Sequence, residues 1–128
     1  MGVSLDRALV FAAMSIFLFF GLWIFVAPGA LESLGILMTT PEARVDVRAT
    51  YGGLELGMAC FLAMCVVREE WTRIGLAAST CVIGGLGLAR LLGIAIEGGG
   101  TPLMWLFVAL EATIVAILVW AYRRGSSG

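Results

Sequence analysis

Four stretches of about twenty mostly apolar residues decide what this chain can fold into. A helix rising 1.5 Å per residue needs about 20 residues to cross the ~30 Å hydrocarbon core of a bilayer. In lipid each backbone N–H and C=O must be paired within the protein, so runs of this length are helical. The four runs cover residues 8–27, 48–67, 74–96 and 103–122. The first is too long to be the ~7–15 residue core of a signal peptide and is read as a true span. Charged residues are 13% of the chain and hydrophobic ones 61%. A soluble domain carries about a quarter charged residues. The expected fold is all-α: one integral membrane domain over 1–128, built as a transmembrane four-helix bundle.

Composition excludes several kinds of chemistry. The chain has no histidine, and no lysine appears in it. That leaves no imidazole metal site, no histidine general base and no Schiff-base lysine. The net charge is −1 and no basic run faces a phosphate backbone, so nucleic acid is not an expected partner. Cys60, Cys65 and Cys81 lie inside apolar runs without a CxxC pair and read as small packing residues. No metal, cofactor or catalytic residue is expected. Arginine without lysine, with abundant glycine and alanine, fits a bacterial protein of the inner (cytoplasmic) membrane.

Turn chemistry supports the span limits. Thr40-Pro41 and Thr101-Pro102 each place an N-cap before a proline at the first helical position. Gly98-Gly99-Gly100 ends the third span. A second helix from Pro41 to Val67 would be about 40 Å long, so its first turns, with Glu42, Arg44 and Asp46, should stand in the headgroup region. The connection 30–38 reads equally as an interfacial helix or as a loop packed on the bundle. Residues 125–128 read as a flexible tail. Arg7, Arg68, Arg73, Arg123 and Arg124 share one side, and Arg44 and Arg48 the other. The positive-inside rule then places both termini in the cytoplasm.

Three ionisable residues fall within spans: Glu55, Arg90 and Glu111. A charge at mid-bilayer costs about 3 kcal/mol or more and usually finds a partner. Glu55 lies about 10 Å inward of Arg48, Arg90 about 9 Å short of Ile96, and Glu111 about 12 Å past Leu103. Three helices thus bring charges to one level in the outer half of the bilayer. Arg44, Arg48, Tyr51 and Glu55 fall at helical spacing on one face. With Arg48 the inner group is neutral, as a dry site tolerates. A structural ion-pair network, a site for the polar head of an amphipathic ligand, and a proton or ion path all fit.

Packing signals are small residues at four-residue spacing. Gly53 and Gly57 form GxxxG on span two, and Ala77, Cys81, Gly85, Ala89 and Gly93 form a stripe on span three. Such stripes let backbones approach closely in lipid. Spans two and three are therefore expected to form the tight centre. Span one, with its phenylalanines and Trp23, is expected to face lipid or a partner. Trp71, Trp105, Trp120 and Tyr122 fall where an aromatic belt would.

Arg48-Ala-Thr-Tyr51-Gly52-Gly53 followed by Gly57 resembles the RxxYGG pattern of an uncharacterised bacterial family of small four-span membrane proteins. Arg90-Leu-Leu-Gly93, Glu97-Gly98, Pro102 and Glu111 extend the likeness over about residues 5 to 122. The family has glycine where this chain has Ala89. The resemblance implies four helices and a role for the RxxYGG segment, and it implies no activity. The expected function is non-enzymatic: binding a lipid-like or other small amphipathic ligand, or serving as an accessory subunit of a membrane complex. Arg48, Tyr51, Glu55, Arg90 and Glu111 would form the polar site, with the arginines meeting an anionic head group. Membrane lipids, membrane-complex subunits or further copies of the chain are the expected partners. The alternative is a small proton-coupled transporter working as a homo-oligomer.

Overall fold

A computed structural model describes residues 4–124, which are mostly helical with no strand, and the tail expected at 125–128 lies outside them. Helix α1 covers Leu5–Val26. Helix α2 (Pro41–Val47), a π-helical turn (Arg48–Gly53) and α3 (Leu54–Val67) follow one another without a break. Helix α4 covers Thr72–Glu97 and α5 covers Pro102–Arg124. These give four helices long and apolar enough to cross a membrane, with α2, the π turn and α3 forming the second.

The helix ends follow from local chemistry. Thr40 Oγ1 accepts the Ala43 N–H at 3.2 Å and Thr101 Oγ1 accepts the Met104 N–H at 3.3 Å. Each satisfies a donor that the first helical turn leaves without a partner. Gly98 closes α4 with φ 76°, a left-handed position that glycine adopts without a Cβ penalty. The connection after α1 forms a 3₁₀ turn over Pro28–Leu34 and folds back onto the bundle. Leu31 and Met38 are buried there with Ile24 and Val47. The connection therefore packs on the bundle, as one of the two expectations for 30–38 has it.

The helices do not pair as the small-residue stripes suggest. α1 packs most extensively on the second span, and α4 most extensively on α5. Val10, Ala13, Phe17, Gly21 and Ile24 form a buried stripe along α1, which makes span one central rather than peripheral. The close approaches are made at other glycines. A Cβ on Gly21 would stand 2.9 Å from the Leu56 backbone nitrogen, and one on Gly52 3.1 Å from the Phe25 backbone. Gly75 presses on Val10 and Cys65 in the same way. Gly57, Gly85 and Gly93 face open space, and Cys81 and Ala89 are exposed. Gly53 meets only a carbonyl of its own π turn, at 3.6 Å. Within the chain, then, these stripes do not carry the packing, and α3 meets α4 less extensively than α1 does.

Two cores result. The larger takes Val10, Ala13 and Phe17 from α1, Ala59, Leu62 and Cys65 from α3, Leu76 and Ile83 from α4, and Leu118 and Ala121 from α5. It joins all four spans in the half of the bundle near the chain termini. The smaller takes Ile24, Leu31, Met38 and Val47, all from α1, its following connection and α2. Nothing from α4 or α5 enters that second core among the described residues. The molecule is thus two antiparallel hairpins sharing a core at one end only.

Candidate functional site

The far half of the α4–α5 hairpin holds one well-formed ion pair. Arg90 Nη2 donates to Glu111 Oε1 at 2.9 Å, and Arg90 Nε donates to Oε1 at 3.3 Å and Oε2 at 3.2 Å. The fork of a guanidinium matches the two carboxylate oxygens, which gives both strength and direction. The Phe107 ring, one turn before Glu111, lies 5.1 Å from the guanidinium carbon. Gly87, one turn before Arg90, provides the space: a Cβ there would come within 3.1 Å of Glu111 Cβ and 3.3 Å of Oε2. The Arg90 side chain retains 28% exposure and that of Glu111 14%. The pair is therefore shielded but reachable from one side. Gly87 is absent from the sequence-based candidates. Its only signal was its place one turn before Arg90 on the same face.

The remaining candidates gather around α1. Leu54 N–H donates to the Ala49 carbonyl, the i to i−5 bond that defines a π turn. The wider turn breaks the single face expected for Arg44, Arg48, Tyr51 and Glu55. Arg48 Nε donates to the Phe25 carbonyl at 2.9 Å, in the last turn of α1, where the carbonyl end of the helix favours a cation. Gly52 lies on the Phe25 backbone one turn later, and Leu56 on Gly21. Tyr51 is exposed. Glu55 is half-buried beside Gly21, and no hydrogen bond or ion pair joins it to another described residue. The RxxYGG segment thus has two parts: Arg48 and Gly52 fasten the second span to the end of the first, while Tyr51 and Gly53 are exposed.

The structure therefore brings Arg90 and Glu111 together, and it keeps Arg48 on a backbone carbonyl away from either glutamate. No hydrogen bond or ion pair links the two groups among the described residues. Nor does any cluster of three or more His, Cys, Asp or Glu side chains there have the arrangement to hold a metal ion.

Residues 5–122 match the family described as a domain of unknown function, DUF4345. The chain belongs to that family. Its match runs from the first residue of α1 almost to the end of α5, so the family unit is the whole four-span bundle. Neither a curated protein nor a solved structure matches the chain.

Proposed function

We propose that this DUF4345 chain is a non-catalytic membrane component that holds the polar head of a lipid-like or other small amphipathic molecule between its two hairpins. The observation that carries this reading is the division of the core. In the half away from the termini, α4 and α5 contribute nothing to the core built on α1 and α2. That same half contains Arg90, Glu111, Tyr51 and the unpartnered Glu55. Binding sites between helices of a bundle combine apolar walls with a few placed polar groups, and this half has both. Arg90 would meet an anionic or hydrogen-bonding head from the side that Glu111 leaves open. The exposed stripe of Cys81, Gly85 and Ala89 on α4 would let a neighbouring membrane helix approach, as a homo-oligomer or as part of a larger complex.

The second reading is proton-coupled transport, and Glu55 favours it. An unpaired carboxyl inside a span is a common element of proton relays. Five arginines lie at the end that holds the termini and two at the other. On that imbalance we place the termini in the cytoplasm and the candidate site in the outer leaflet. An impermeant maleimide applied to intact cells should then label cysteine at Thr39 and not at Glu70.

Native mass spectrometry of the chain extracted in mild detergent tests the leading reading. A bound small molecule should remain on the native chain and be lost from the Arg90→Met, Glu111→Leu double variant, which keeps the site neutral and apolar. A native chain with no adduct, and proton-coupled flux that Glu55→Gln abolishes, would instead select transport.

A further inference from the structure

The ion pair between α4 and α5 restricts the kind of head it can meet. Arg90 commits Nε and Nη2 to Glu111, and its Nη1 donates to no described group. Glu111 is the more covered partner, with a side chain 14% exposed against 28% for Arg90. Its Oε2 lies against Gly87, 3.3 Å from where a Cβ there would stand. The reachable edge of the pair is therefore guanidinium N–H, which donates and cannot accept.

Charge and depth narrow the head further. Glu111 already neutralises Arg90, and the remaining deep charged residue of the spans is Glu55, another carboxyl. Arg48 is held on the Phe25 carbonyl at the end of α1. An anionic head at the pair would thus add a charge that nothing offsets, where a lone charge costs about 3 kcal/mol or more. Helix α4 is about 39 Å long and overhangs a ~30 Å hydrocarbon core by only a few ångström at each end. Arg90 stands about 10 Å before its end, and Glu111 about 13 Å past the start of α5. The pair is therefore inside the hydrocarbon, below the level of charged headgroups. A cationic head would meet only donors there. A hydroxyl would accept from Arg90 and leave its own O–H without an acceptor, which is costly in so apolar a place.

We propose that the site takes a neutral head with a carbonyl oxygen, which accepts from Arg90 Nη1, on an apolar molecule lying between the hairpins. This rests on the binding reading above and selects, within it, the neutral acceptor over the anion. A carbonyl accepts without donating, so it satisfies the free edge of Arg90 and leaves no polar hydrogen unpaired. The ring of a quinone and the ester of a fatty acid both present such an oxygen on an apolar body.

The test equilibrates the delipidated full chain in detergent, at about pH 9, with methyl oleate, oleate, oleyl methyl ether or decylubiquinone, and measures the probe retained after gel filtration. The first three share one chain and differ in head: neutral carbonyl, anion, and neutral oxygen without a carbonyl. At that pH the oleate carboxyl is charged. Methyl oleate should bind about tenfold more tightly than oleate or the ether, the worth of one hydrogen bond from a charged donor. The Arg90→Met, Glu111→Leu variant should hold the ester no better than the ether, whereas Arg44→Gln at headgroup level should keep the preference. Decylubiquinone bound above methyl oleate would support the proposal with a ring carbonyl as the source, and the reverse order with an ester. Oleate or the ether bound as tightly as both carbonyl probes would overturn the proposal and leave binding between the hairpins standing. Retention of none of the four would overturn both.

Discussion

Arg90 sits well inside a span, where an unpaired charge costs about 3 kcal/mol or more. Its fork on Glu111 removes most of that cost, because the pair is neutral and several donors are satisfied together. Removing one partner leaves the other stranded. Glu111→Gln should therefore destabilise the chain by about 3 kcal/mol, and Arg90→Met by a similar amount. The Arg90→Met, Glu111→Leu double variant should return to within about 1 kcal/mol of the native chain, since well-packed apolar residues replace a buried ion pair at little cost. Unfolding in detergent, read as a double-mutant cycle, checks this coupling. That Arg90 and Glu111 stand at one level was legible in the sequence because depth is read by counting residues from a span's end; that these two pair with each other was not. Depth fixes the level of a side chain but not the direction it points, so counting also gathered Arg48 and Glu55 into the same cluster. The structure turns Arg48 to the Phe25 carbonyl and sets the Cβ of Glu55 beside Gly21.

Among the elements, the second span departs furthest from its pattern. Spacing arguments assume 3.6 residues per turn, and the six residues Arg48–Gly53 do not follow it. Only the adjacent Gly52 and Gly53 hinted at an irregular turn. The caps at Thr40, Thr101 and Gly98 were legible because each depends on a few neighbouring residues. Helix pairing was not, since lipid is as apolar as the helix surfaces and leaves no polar side to mark the outside. Small residues therefore occur both where backbones meet and where they do not. The distinction is measurable. Gly21→Ala and Gly52→Ala each put a methyl against the neighbouring helix's backbone and should cost about 1–3 kcal/mol. Gly85→Ala meets open space and should be neutral or raise fold stability by up to about 1 kcal/mol through helix propensity. Thermal unfolding of the three variants in one detergent would show the contrast.

At the scale of the whole molecule, two hairpins share a core near the termini, and beyond it the second core among the described residues belongs to the first hairpin alone. The arginine-rich end is the joined end, where Arg7 reaches Val66 and Arg124 reaches Asp6 across the chain. The other end holds the in-span ion pair and the exposed part of the RxxYGG segment. If the proposed ligand enters from the bilayer, the far halves are expected to move apart while the near halves stay fixed. Electron–electron resonance distances between nitroxide pairs test that division most directly. One pair, at Val45 and Ile96, spans the two hairpins at the far end, and the other, at Val67 and Tyr122, spans them near the termini. A broad distance distribution at the far end with a narrow one near the termini is the expected result. Equally narrow distributions at both ends would mean a bundle packed along its whole length, and would contradict a binding site between the hairpins.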